Sequence, residues 1–171
     1  FPAALQAGTS LAMSQHPVGV AEASLDLLHD VKTPARAKAW VEQQLEHHTG
    51  LPGFEHRIYR VGDPRTDVTA ALCKRVAERA GRKEREELAS AIEQAVWERQ
   101  QRLPSVIWPA ARLLDYLGVD RPLFGPLYVI ARMAGWAAHY VEQRETTGWP
   151  QTASPYQGPG PRRYQPEHER A

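Results

Sequence analysis

The densest concentration of chemically capable side chains is the stretch Leu51-Pro52-Gly53-Phe54-Glu55-His56-Arg57-Ile58-Tyr59-Arg60-Val61-Gly62-Asp63-Pro64-Arg65. A histidine just after a glycine-permitted turn can bring an imidazole and backbone amides close to a ligand. Arg57, Arg60 and Arg65 place three cations within nine residues, an arrangement suited to carboxylates or phosphates. The same composition also fits a solvated basic loop with a surface histidine, and the residues alone leave both open. Other reactive types are sparser. His47-His48 with His56 fits no common metal-ligand spacing, so no metal is expected. Cys73 falls inside a helical pattern, where a buried inert thiol is the expectation. Glu84 to Glu87 reads as a solvated helix start, and Trp108, Trp136 and Trp149 read as packing residues.

The elements that must position this loop are helices separated by proline and glycine. Val20, Ala23, Leu27, Leu28 and Val31 form a stripe of 3.6-residue period over 20–32. Thr33-Pro34 supplies an N-cap and a first-turn proline for a helix near 34–48, with Trp40, Val41 and Leu45 on its apolar face. Gly50, Pro52 and Gly53 stop it. Asp63-Pro64 repeats the start signal for a helix through Cys73 and Val76, which Gly81 ends. Residues 83–100 carry Leu88, Ile92, Ala95 and Val96 on one side, and a shorter helix runs from 106 or 109 to Leu117. Residues 122–145 are the most apolar, which predicts a helix buried on several sides. From Gly148 onward Pro, Gly, Gln and Ser predict an irregular tail. No strand alternation or internal repeat is visible, so the expected fold class is all-α.

The 171 residues carry 21 Lys and Arg against 20 Asp and Glu. That balance offers no electrostatic case for nucleic acid or an anionic membrane. A single cysteine excludes an internal disulfide and suits a reducing, cytoplasmic compartment. No apolar run approaches the roughly 20 residues needed to span a bilayer. The first residues lack the charged region and cleavage pattern of a signal peptide.

Two spaced motifs carry a family resemblance. Gly53, Phe54, His56, Arg57, Tyr59, Asp63, Pro64 and Arg65 resemble the Gly-Phe-Gly-His-Arg-Val-Tyr and Asp-Pro-Arg elements of citrate synthases, at the same spacing. Downstream, Arg132, Gly135, Trp136, His139, Glu142 and Gln143 resemble the family's Ser-Arg-x-x-Gly-Trp-x-x-His-x-x-Glu-Gln helix. The resemblance implies a small helical domain over 1–121, a helix over 122–147 returning to a large domain, and an irregular tail over 148–171. It implies condensation of an acyl-CoA with a 2-oxo dicarboxylate, acetyl-CoA with oxaloacetate, giving citrate and CoA. His56 would then donate to the oxo-acid carbonyl, and Arg65 and Arg132 would clamp its carboxylates. Backbone at Leu51, Pro52, Gly53 and Phe54 would face CoA, with Arg60 on a phosphate. No cofactor is implied, since the CoA thioester is itself a substrate. The implied partners are a second copy or a chain supplying the large domain.

The departures fall on catalytic positions. The family's Pro-Asn-Val-Asp-Phe-Tyr stretch, which places an aspartate base, is here Pro104-Ser105-Val106-Ile107-Trp108-Pro109. Isoleucine cannot accept a proton. Glu55, next to His56, offers a substitute base only if adjacent loop side chains converge. In register with Glu22-Ala23, Pro17 takes the position of the family's second histidine, and a one-residue insertion would restore His16 to that role. The tail's Arg-Pro-Arg element is replaced by Gln151-Thr152-Ala153. Three readings follow: a condensing enzyme, a non-catalytic homologue, or one subunit of a split enzyme.

Overall fold

The computed structural model describes residues 2–12, 18–47, 50–54, 56, 59 and 62–146. Seven α-helices and two single 3₁₀ turns account for most of these, and the described residues include no strand. The fold class is all-α, as the punctuation implies. The helices are α1 (Pro2–Ala12), α2 (Val20–Val31), α3 (Ala37–Glu46), α4 (Pro64–Arg79), α5 (Lys83–Gln100), α6 (Ile107–Tyr116) and α7 (Phe124–Glu145). None of the described helices is long and apolar enough to cross a membrane.

Local chemistry explains where several of them begin and end. Asp63 is extended, and its carboxylate accepts the Arg65 backbone N–H at 3.0 Å while Pro64 opens α4. Gly81, at φ +66°, follows the helix in the left-handed region open to glycine. Thr33 behaves differently from expectation. It is extended but makes no side-chain cap bond, and Pro34–Arg36 forms a 3₁₀ turn before α3 begins.

The main core lies where α2, α3, α5 and α6 meet. Leu28, Val31, Val41, Ile92, Val96 and Trp108 are buried there, Trp108 without any exposed surface. Phe54 packs its ring 4.9 Å from that of Trp108, so the loop after α3 is nailed into the core. A smaller cluster of Cys73, Ala77 and Tyr116 seals α4 against α6.

The apolar content of α7 does not bury it. Only Phe124 and Gly125 are buried, whereas Leu127, Tyr128, Ile130, Met133 and Val141 are exposed. Its cover is α1, where Gly8 is close enough that a Cβ would meet the Trp136 ring at 3.0 Å. One helix covers one face, so an expectation of burial on several sides fails for these residues.

Candidate functional site

The His56 loop is held by its apolar neighbours. Leu51 and Phe54 are core residues, and the Phe54 N–H donates to the Leu51 carbonyl at 3.1 Å. Between them Gly53 adopts φ +86°, and a Cβ there would lie 3.0 Å from Ser24 Oγ and 3.2 Å from Trp108 Cβ. Only glycine meets both demands. The Gly53 carbonyl accepts the Ser105 N–H at 2.7 Å, tying this loop to the segment that leads into α6.

Beyond the anchor, four side chains form a closed ring of contacts. The His56 and Tyr59 rings are 4.5 Å apart, and the Tyr59 N–H donates to His56 Nδ1 at 3.1 Å. The Arg65 guanidinium lies 5.7 Å from the Tyr59 ring centre. Arg65 Nε and Nη2 donate to the two oxygens of Asp63 at 2.9 and 2.7 Å. Asp63 Oδ2 in turn stands 4.0 Å from His56 Nε2. The Arg65 side-chain bonds hold the Asp63 carboxyl down at about 2, against its ordinary 3.8, and the backbone N–H groups of Arg65 and Val106 help, although burial opposes them. Asp63 is therefore an anion with almost no solvent contact, its side chain 1% exposed, while the outer edge of Arg65 faces water at 57%.

The expected site residues divide accordingly. His56 and Arg65 converge on one carboxylate. Arg132 lies outside that cluster, exposed on α7, with its guanidinium within 3.6 Å of the position of a Cβ on Gly135. Tyr128 stands one turn earlier on the same face of α7 and is likewise exposed. Leu51 and Phe54 spend their side chains on the core, leaving backbone as their route to any ligand. His16, Arg60 and Glu55 lie outside the described residues, as do Gln151-Thr152-Ala153 and the tail. Ile107 is half-buried at the first position of α6, directly after Val106, whose N–H acts on Asp63. A cavity of about 480 Å³ borders Asp63, but α4, Leu103, Pro104 and Pro109 line it, with neither His56 nor Arg65 in its wall.

A second polar constellation, between α4, α5 and α6, escaped the sequence. Glu86, which reads as a solvated helix-start residue, is 7% exposed. Its Oε1 accepts from Arg112 Nε at 2.8 Å, Tyr116 Oη at 2.9 Å and Cys73 Sγ at 3.4 Å. Burial pushes the Cys73 thiol up to about 12 and the Tyr116 hydroxyl upward as well. Cys73 is thus a protonated core thiol at neutral pH. Among the described residues no group of His, Cys, Asp and Glu could hold a metal ion.

The comparisons with known proteins agree with the all-α fold. The family model for the citrate synthase C-terminal domain matches residues 2–150. Citrate synthase 2 of Bacillus subtilis is 30% identical over 153 residues, covering 90% of this chain and 41% of that protein. The 2-methylcitrate synthase of Shewanella oneidensis is 30% identical over 148 residues, covering 86% and 40%. The citrate synthase structure from Thermotoga maritima superposes with a TM-score of 0.68 at 26% identity, over 92% of this chain and 44% of that one. The chain spans about two fifths of the length of these curated relatives. On the family match, on these relatives and on the loop that joins His56 to Arg65, this chain belongs to the citrate synthase family.

Proposed function

We propose that the chain supplies part of a site that condenses an acyl-CoA with a 2-oxo dicarboxylate, acetyl-CoA with oxaloacetate, giving citrate and CoA. The observation that carries this reading is the convergence of His56 and Arg65 on the buried Asp63 carboxylate. Arg65 has two donors committed to Asp63, and its exposed edge remains to meet a ligand carboxylate. His56 beside it can donate to a carbonyl oxygen, stabilising charge that develops there. Arg132 would reach a second carboxylate from α7. Backbone at Leu51 to Phe54, with Arg60, would take the CoA, and His16 would be the second catalytic histidine. Assembly with a second copy or with a chain supplying a large domain, in a cytoplasmic setting, belongs to the same proposal.

Ile107 favours a second reading, a homologue that binds ligand without catalysis or that shares its site with a partner subunit. The position follows Val106, whose backbone acts on Asp63, yet an alkyl side chain cannot remove a proton from a thioester methyl. Thiol release from acetyl-CoA in the presence of oxaloacetate separates the two. The condensing reading expects release that His56→Ala abolishes. Oxaloacetate binding without release, with release appearing in Ile107→Asp, establishes the second. Release that His56→Ala leaves unchanged removes His56 from the mechanism.

A further inference from the structure

We propose that the cleft between α4 and α5 is a second binding site, for a small zwitterion of the apolar α-amino acid class. The two helices form a hairpin about the turn at Gly81, and a cavity of about 450 Å³ lies between them. That volume falls in the range of small-molecule sites. Ala77 from α4 and Ala91 from α5 give it apolar wall. Four charged side chains also line it, Lys74 and Glu78 from α4, Lys83 and Glu87 from α5. In each helix the lysine and glutamate stand at i and i+4, the spacing at which opposite charges meet. Neither pair closes. Among the described residues none of these four side chains makes an ion pair or a hydrogen bond. A simple anion would suit the lysines but meet repulsion from the glutamates, and a simple amine the reverse. A molecule that carries both charges side by side satisfies both.

An independent observation comes from the same wall. Glu86 lines the cavity and is 7% exposed. Its Oε1 takes all three of its donors, from Cys73, Arg112 and Tyr116, and none of those residues is part of the wall. Its Oε2 is buried without a hydrogen-bond partner. A buried acceptor left unpaired is costly, and an ammonium in the cavity is the donor this one lacks. The ligand's ammonium then meets Glu86 Oε2 with Glu78 and Glu87, its carboxylate meets Lys74 and Lys83, and its side chain rests on the alanines. The site stands whether or not the chain condenses an acyl-CoA.

The test follows the backbone amide signals of the full chain by NMR during titration with leucine, valine and phenylalanine. Two controls, 3-methylbutylamine and 4-methylpentanoate, keep the leucine side chain but carry one charge each. An amino acid is expected to shift the signals of Ala77, Ser90 and Ala91, and either control to bind at least roughly tenfold more weakly. Lys83→Ala and Ser90→Leu change exposed positions of α5, and unchanged signals elsewhere show that each variant is folded. Lys83→Ala should weaken binding about tenfold, and Ser90→Leu should abolish it by filling the cavity. Equal binding of either control overturns the proposal, as does binding that both variants leave unchanged. Absence of shifts with all three amino acids overturns it outright.

Discussion

Glu86 and Asp63 are both buried carboxylates that gather several donors, yet one is sealed between three helices and the other closes the floor of an open loop. Around Glu86 the partners Arg112, Tyr116 and Cys73 are themselves buried, and none of the group is more than 8% exposed. Around Asp63 the anion is buried but His56, Tyr59 and Arg65 extend outward. A buried carboxylate can thus serve two ends. Enclosed, it fixes how helices pack; placed under a loop, it aims polar groups at whatever arrives from outside. For Arg112 burial disfavours the charge, but Glu86 outweighs it and raises the guanidinium pKa.

Removing the sealed carboxylate should have the largest effect. Glu86→Ala leaves Arg112 buried beside an empty acceptor position and should cost about 3–5 kcal/mol in urea unfolding. A loss near zero would mean that the network does not fix the α4–α6 seam. Gly53→Ala attacks the other region. A positive φ and a Cβ at 3.0 Å from Ser24 Oγ should cost about 1–3 kcal/mol and displace the His56 loop. Ligand binding should fall more than stability does, and the reverse order would separate the loop anchor from the site.

Acid should distinguish the regions more gently. The Asp63 pKa is depressed from 3.8 to about 2, so its contribution to stability is present above pH 4. That contribution disappears as the pH falls through about 2. Urea midpoints measured at pH 5 and pH 2.5 should therefore drop further for the unsubstituted chain than for Asp63→Asn. Equal drops would show that Asp63 is not the anion the geometry describes. The smallest effect concerns Cys73. With its thiol at about 12 and no exposed surface, it should resist thiol reagents at neutral pH until the chain unfolds. Rapid labelling of the folded chain would reveal local opening between α4 and α6.

Much of the architecture was legible because its signals are local. Asp63-Pro64 and Gly81 mark the ends of α4 by backbone chemistry that needs no distant partner. The spacing of His56 and Arg65 was equally readable, since a short loop brings them together. Glu86 was not. Its partner Arg112 lies on another helix, and an acid in a run of Glu and Lys looks solvated until packing encloses it. The exposure of α7 was hidden for a related reason, because apolar content states what could be covered and not what covers it. Pro2–Ala12 carries no strong apolar stripe or cap, and its helix was visible only once Trp136 lay against Gly8. Asp63 was read as a cap, but its approach to His56 at 4.0 Å is a matter of tertiary geometry that no local signal carries.

The pairing of α1 with α7 has a kinetic consequence. These two helices come from far apart in sequence, and the chain between them must already be compact before their contact costs little entropy. The central helices can condense without that contact, whereas α1 gains cover chiefly through it. Amide exchange should therefore be fastest in α1 and α7, with both releasing together while α5 and α6 stay protected. The molecule would then open from its outer pair of helices inward, long before the seam at Glu86 parts.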